Sequence, residues 1–210
     1  RRTDRSTLIC HFDRAKRVEK SFEIFTLITG VIYIILEIRQ KNFMWVVGIL
    51  TSLAAMYVFF CQGLYASFGL NTYYLVTSFI GLWHWRRDKE ILQAESDDAV
   101  HLNRIGRSAI IYGVIITVAG VLALTLGMDL LGRWGLEENP MSFLDATSTM
   151  LSVVATWWLV RCYIQHWWLW IVADALTTAL CLSQGMWWMA ALYGAYAASA
   201  VIGFVHWKHI

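Results

Sequence analysis

The 210-residue chain is 58% hydrophobic, has only 15% charged residues and contains a single proline. A soluble domain of this size carries about 25% charged residues, so the composition excludes an ordinary soluble fold and places the chain in a membrane. The formal charge of +2, with no basic block interleaved with aromatics beyond the N-terminus, gives no ground for a nucleic-acid partner.

Residues 1–20 are polar and basic with scattered Leu8, Ile9, Phe12 and Val18, which predicts an amphipathic helix on the membrane surface. No continuous apolar region follows the opening arginines before Cys10, so a cleaved signal peptide is not expected. Apolar stretches then cover 21–38, 43–61, 64–85, 108–131, 141–160, 166–183 and 187–207, each near the ~20 residues that cross a bilayer. Seven transmembrane helices are expected.

The stretch from Arg39 to Arg86 occurs twice. A shift of 122 residues lays Arg39 on Arg161, Trp45 on Trp167, Gln62 on Gln184, Gly63 on Gly185, Tyr74 on Tyr196, Gly81 on Gly203 and Trp85 on Trp207 without a gap. Such a register marks an internal duplication. Three crossings, one return and three more leave both copies the same way up. The expected fold is an all-α integral membrane protein of two parallel three-helix bundles, over 21–86 and 141–208. A charged linker over 87–107 and a connecting transmembrane helix over 108–131 join them (3+1+3), the parallel-repeat arrangement of SWEET-type transporters.

In the fourth span Gly106, Gly113, Gly120 and Gly127 recur at heptad spacing, and in the seventh Ala190, Gly194 and Ala198 at four-residue spacing. Small residues in line predict close helix packing, against a repeat or against a second protomer of a homo-oligomer. The connections on the face of the C-terminus carry Arg39, Lys41, Arg86, Arg87, Arg104, Arg107, Arg161 and Lys208, which favours a cytoplasmic C-terminus. The basic N-terminal tail argues the other way, and the loops are given the greater weight.

Polar residues inside a span should face the bundle or a wet path. Asn71, Tyr74 and Ser78 share one face of the third span, and Tyr193 and Tyr196 hold the shifted positions in the seventh. Asp145, Thr149, Ser152 and Thr156 form a stripe on the fifth span, and Asp174, Thr178 and Cys181 one on the sixth. Ser52 of the second span, next to Thr51, matches Asp174. These stripes predict the walls of a shared central path. Single Ser and Thr hydroxyls also bond their own helix carbonyls, and Gln62 and Gln184 stand at loop mouths where they cap a helix end or gate the path. His84 and His206 beside Trp85 and Trp207 read as interfacial anchors. Cys10, Cys61, Cys162 and Cys181 form no metal or disulfide pattern, no cofactor is expected, and no nucleotide or hydrolase motif points to an enzyme.

Gln62-Gly-Leu-Tyr-Ala-Ser67 followed by Gly81-Leu-Trp-His-Trp85 resembles the first unit of the PnuC family of nicotinamide riboside transporters. Phe143-Leu-Asp, Leu151-Ser-Val-Val, Trp167-Trp-Leu-Trp170 and Gln184-Gly resemble its second unit, so the resemblance covers nearly the whole chain. It implies facilitated diffusion of nicotinamide riboside across a bacterial inner membrane, with phosphorylation inside the cell trapping the vitamin. The chain departs from the family in carrying Asp174 and Ser78 where the family often has Asn. The implied ligand has a pyridinium cation, a carboxamide and a ribose. Tyr74, Tyr193, Tyr196 and Trp188 then supply aromatic faces for the cation, Asn71 and Gln184 answer the carboxamide or ribose, and Asp174 offsets the charge. The residues leave open a carrier of a related vitamin such as thiamine or riboflavin, a sugar carrier, a proton-coupled carrier and a non-transporting membrane scaffold.

Overall fold

The computed structural model describes residue 25 and residues 28–61, 65–91, 102–133 and 142–209. The surface helix expected over 1–20 and residues 92–101 of the expected linker lie outside the described residues, as does Gln62. Within them are α1 (Ile28–Ile38), α2 (Phe43–Cys61), α3 (Tyr65–Ile91), α4 (Arg107–Arg133), α5 (Ser142–Val160), α6 (His166–Ser183) and α7 (Trp187–Lys208).

Three helical stretches, Arg107–Gly127, Phe143–Val160 and Met189–Lys208, are long and apolar enough to cross a membrane on length and composition alone. The expectation was seven. The apolar runs Ile28–Ile38 and Phe43–Tyr57 are shorter. α3 and α6 carry polar side chains such as Asn71 and Asp174, and α3 continues through Arg86, Arg87 and Asp88.

α1 and α5 stop in the same way. Gln40 and Cys162 hold left-handed backbone, with φ 54 and 57. One residue further on, the Lys41 N–H donates to Leu36 O and the Tyr163 N–H to Trp158 O, at 2.9 and 3.0 Å. This is a Schellman stop, built twice on a non-glycine residue at a cost of about 1–2 kcal/mol each. The two residues stand 122 apart, as do the flanking bonds Arg39→Ile35 and Arg161→Trp157, Met44→Lys41 and His166→Tyr163, and Trp45→Asn42 and Trp167→Ile164.

In each copy of the repeated stretch an indole lies on bare backbone. A Cβ at Gly81 would overlap the ring of Trp45, and one at Gly203 the ring of Trp167. The tryptophan that follows each glycine by four residues reaches the other copy. Trp85 Nε1 donates to Leu159 O at the end of α5 (3.4 Å), and Trp207 Nε1 to Ile38 O at the end of α1 (3.1 Å). Higher up, the Tyr73 hydroxyl donates to Val153 O of α5 at 2.7 Å. The third helix of each copy therefore meets the first helix of the other.

Trp45, Trp85 and Trp207 are fully buried and Trp167 nearly so. Their rings, with that of His166, touch edge to face or tilted at centroid distances of 4.6 to 6.2 Å. The Asn103 N–H and Nδ2 donate to Cys162 O and Arg161 O (3.1 and 3.0 Å), which brings the start of α4 to the same end.

Among α2 to α7, α4 packs on α5 alone. Gly113 and Gly120 admit Trp158 and Met150, whereas Gly106 and Gly127 have nothing within 4 Å of a built Cβ, so only half of the heptad stripe packs. Gly194 of α7 is likewise open. Most of α4 presents large apolar residues outward, among them Ile111, Val114, Ile115, Leu122 and Leu126, a surface suited to lipid and not to water.

Gly81→Ala and Gly203→Ala are expected to destabilise the protein by about 1–3 kcal/mol each, because the indole beneath has no room to move. Gly127→Ala and Gly194→Ala, which meet nothing, should leave the melting temperature in detergent unchanged or slightly raised. Thermal unfolding of the four purified variants checks this.

Candidate functional site

Between the two copies, beside the tryptophan cluster, lies a cavity of about 320 Å³, within the size range of small-molecule sites. Five pairs of its lining residues stand 122 apart: Ile34 and Thr156, Gly48 and Trp170, Ser52 and Asp174, Tyr74 and Tyr196, Ser78 and Ala200. The cavity therefore draws equivalent positions from both copies. Of these pairs only Tyr74 and Tyr196 keep the same side chain. Ile34 and Ala200 are apolar where Thr156 and Ser78 carry a hydroxyl, Gly48 has no side chain where Trp170 carries an indole, and Ser52 is neutral where Asp174 carries a carboxyl group.

Glycine also sets how closely the walls approach. A Cβ at Gly48 would lie 2.9 Å from Ser78 Oγ and 3.3 Å from the Tyr33 ring, and one at Gly30 would lie 2.8 Å from the Tyr196 hydroxyl. The floor is the buried tryptophan cluster, which Trp167 shares with the cavity.

Of the residues expected to bind ligand, Ser52, Asn71, Tyr74, Asp174 and Tyr196 line this cavity, as do Thr51, Ser78 and Thr156 from the expected polar stripes. Thr178, Gln184 and Tyr193 do not. The Thr178 hydroxyl donates to Asp174 O one turn back (2.7 Å), as Thr51, Ser152 and Thr156 hydroxyls do to their own helices. Gln184 is exposed at the C-cap of α6, where Gly185 takes φ 73 and the Met186 N–H closes the helix on Cys181 O. The repeated Gln-Gly is here a helix stop. Tyr193 packs edge to face on Tyr196, ring centroids 5.9 Å apart, and so buttresses a wall residue. Asp145 is exposed on α5, and the Trp188 side chain lies outside the described residues.

The α1 wall was missed: Thr29, Tyr33 and Glu37 line the cavity at four-residue spacing, one helical face. Trp167 and Trp170 were missed as well, since tryptophans in spans default to interfacial belts. Their Nε1 groups are buried with no hydrogen-bond partner among the described residues. Among the described residues the lining holds two carboxyl groups, Glu37 and Asp174, both nearly buried, and no Lys or Arg.

A polar cavity lined by five pairs of positions 122 residues apart and floored by packed tryptophan, beside helices with large apolar outer faces, fits an integral membrane protein of the transporter class. The sequence matches the family model described as nicotinamide mononucleotide transporter over residues 20–209, and the chain belongs to that family. Relatives include the nicotinamide riboside transporter PnuC of Neisseria mucosa, 21% identical over 197 residues covering 87% of this chain and 70% of that protein. The nicotinamide riboside transporter PnuC of Escherichia coli is 24% identical over 182 residues, 79% of this chain and 76% of that protein. A crystal structure of the vitamin B3 transporter PnuC shares the fold, with a TM-score of 0.65 at 20% identity over 97% of this chain and 85% of that one.

Gly48→Leu forces a side chain against Ser78 and Tyr33 in the cavity wall and is expected to weaken a ligand held there by about tenfold or more. Thr178→Val, whose hydroxyl serves only its own helix, should change affinity less than about twofold. Isothermal titration calorimetry on the two variants separates these outcomes.

Proposed function

We propose that the protein carries nicotinamide riboside across a bacterial inner membrane by facilitated diffusion, through the cavity between two like-oriented three-helix bundles joined by α4. The observation that carries this reading is the lining: equivalent positions from both copies, aromatic faces and two carboxylates, with no cationic side chain. Tyr33, Tyr74, Tyr196 and Trp170 offer π-faces to a pyridinium ring, each worth roughly 0.5–2 kcal/mol according to how dry the contact is. Asn71 answers the carboxamide or the ribose hydroxyls.

Charge selects between the two ligands named for the family and its relatives. A mononucleotide brings a phosphate into a cavity that holds two acids and no base, where like charges repel and no donor fork replaces the lost water. The riboside, a cation, suits the same walls. Phosphorylation after passage would then prevent return, trapping the vitamin inside the cell. All seven helices cross the membrane in this reading, and the recurrence of the same turn bonds and indole contacts 122 residues on supports the equal orientation of the two copies. Arg39, Arg86, Arg104, Arg107, Arg161 and Lys208 lie towards the tryptophan end, which supports a cytoplasmic C-terminus.

Purified protein in liposomes should take up labelled nicotinamide riboside saturably, without an imposed ion or pH gradient, and excess nicotinamide mononucleotide should not compete. Asn71→Ala and Tyr196→Ala should each lower affinity by about tenfold. A thermal-shift panel that includes thiamine, riboflavin and glucose decides the substrate. Stabilisation by one of those and not by the riboside would replace the proposed ligand, and liposomes with no uptake of any of them would reject a carrier.

A further inference from the structure

Tyr196 of α7 reaches across the boundary between the copies to α1. A Cβ built on Gly30 would lie 2.8 Å from the Tyr196 hydroxyl oxygen and 3.8 Å from its Cζ, and no atom of another described residue outside α1 comes within 4 Å of it. The tip of the tyrosine therefore rests against bare helix backbone. Its ring is held from the side by Tyr193, one turn earlier, which meets it edge to face with centroids 5.9 Å apart and planes at 84°. Gly30 and Tyr196 both line the cavity.

The duplication shows that this helix crossing does not require a glycine. A shift of 122 residues carries Gly30 to Ser152 and Tyr196 to Tyr74. At the equivalent place α5 thus holds a side chain, and the Ser152 hydroxyl donates to Ser148 O of its own helix at 2.8 Å. By contrast Gly81 and Gly203, the glycines that seat indoles, are present in both copies. Glycine within a helix is less favourable than alanine, so its presence on the α1 side alone calls for a reason other than packing. The reason lies in what a Cβ would displace. It would meet the end of one side chain and no backbone of a neighbouring helix, so the helices would stay where they are and the ring would turn. The face of that ring is the part that a planar or cationic guest meets, and a binding face serves only while its support holds it still.

We infer that Gly30 is a positioning residue for the ligand site: by leaving room for the Tyr196 hydroxyl it sets the tilt at which that ring faces the cavity. The inference rests on the ligand reading given above and deepens it, since Gly30 acts through Tyr196.

A double-mutant cycle on the full-length purified protein tests it, with nicotinamide riboside binding measured by calorimetry and folding by thermal unfolding in detergent. Gly30→Ala should weaken the riboside by about fivefold or more while the melting temperature stays unchanged or rises. In the Tyr196→Phe background, where the atom that the new methyl group meets is gone, the same substitution should change affinity less than about twofold. A role in packing alone would lower the melting temperature and would not depend on that hydroxyl. Unchanged affinity in Gly30→Ala, an equal loss in both backgrounds, or a Gly30→Ala protein with a lowered melting temperature overturns the inference. If the wild type binds thiamine and not the riboside, the ligand reading fails, and the same cycle run with thiamine decides the inference on its own. If it binds neither, both fail.

Discussion

The structure depends on an indole pressed against a helix that has no side chain to keep it away. Trp45 lies on Gly81 and Trp167 on Gly203, and these two seats fix how the second and third helices of each copy meet. With the seats in place, Trp85 and Trp207 are aimed across the boundary at carbonyls of the opposite copy. Carbonyls at a helix end lack an intrahelical donor; the Trp207 bond serves such a group at Ile38 O, whereas Leu159 O also accepts from the Cys162 N–H at 2.9 Å. One aromatic cluster thereby sets the internal geometry of each copy, the contact between them and the floor of the cavity.

Above that floor the duplication is kept where shape matters and broken where chemistry matters. Tyr74 and Tyr196 repeat as facing aromatic walls. Gly48 against Trp170, Ser52 against Asp174 and Leu159 against Glu37 do not repeat, and these three breaks give the cavity its room, its one-sided aromatic wall and its charge. A duplicated frame that needs only one copy of a position for packing leaves the other open to acquire a functional group. The hydroxyl-bearing residues are mostly bound to their own helices, so the polar character of the cavity rests on fewer groups than its lining suggests.

The shift of 122 residues was legible in the sequence because identities at Trp45 and Trp167, Gly81 and Gly203, Tyr74 and Tyr196 survive in register, and these are the positions where bulk against bare backbone leaves no substitute. Asn71 and Tyr74 on α3 and Asp174 on α6 were legible because polar groups inside an apolar span are costly unless they face the bundle or a wet path. α1 was not, although Thr29, Tyr33 and Glu37 share a face, because three polar residues spread over an otherwise apolar run are easily read as incidental. Trp167 and Trp170 look like interfacial anchors until their neighbours are known, since an indole suits a lipid boundary and a binding wall equally well. Helical periodicity put Thr178 on the face of Asp174, but a hydroxyl can turn to its own backbone, and spacing alone does not reveal which way it turns. Gln184 was read as capping a helix end or gating the path, and Gly185 ends α6 beside it.

Among α2 to α7, α4 touches α5 alone, so between α3 and α5 the chain runs through a strut fastened on the α5 side. The first copy is thereby spared an outer protein brace of its own and borders the fluid bilayer where the second borders a helix. Any tilting of the two halves against each other then has a lighter partner and a heavier one: α1 to α3 would swing, while α4 to α7 serve as the frame.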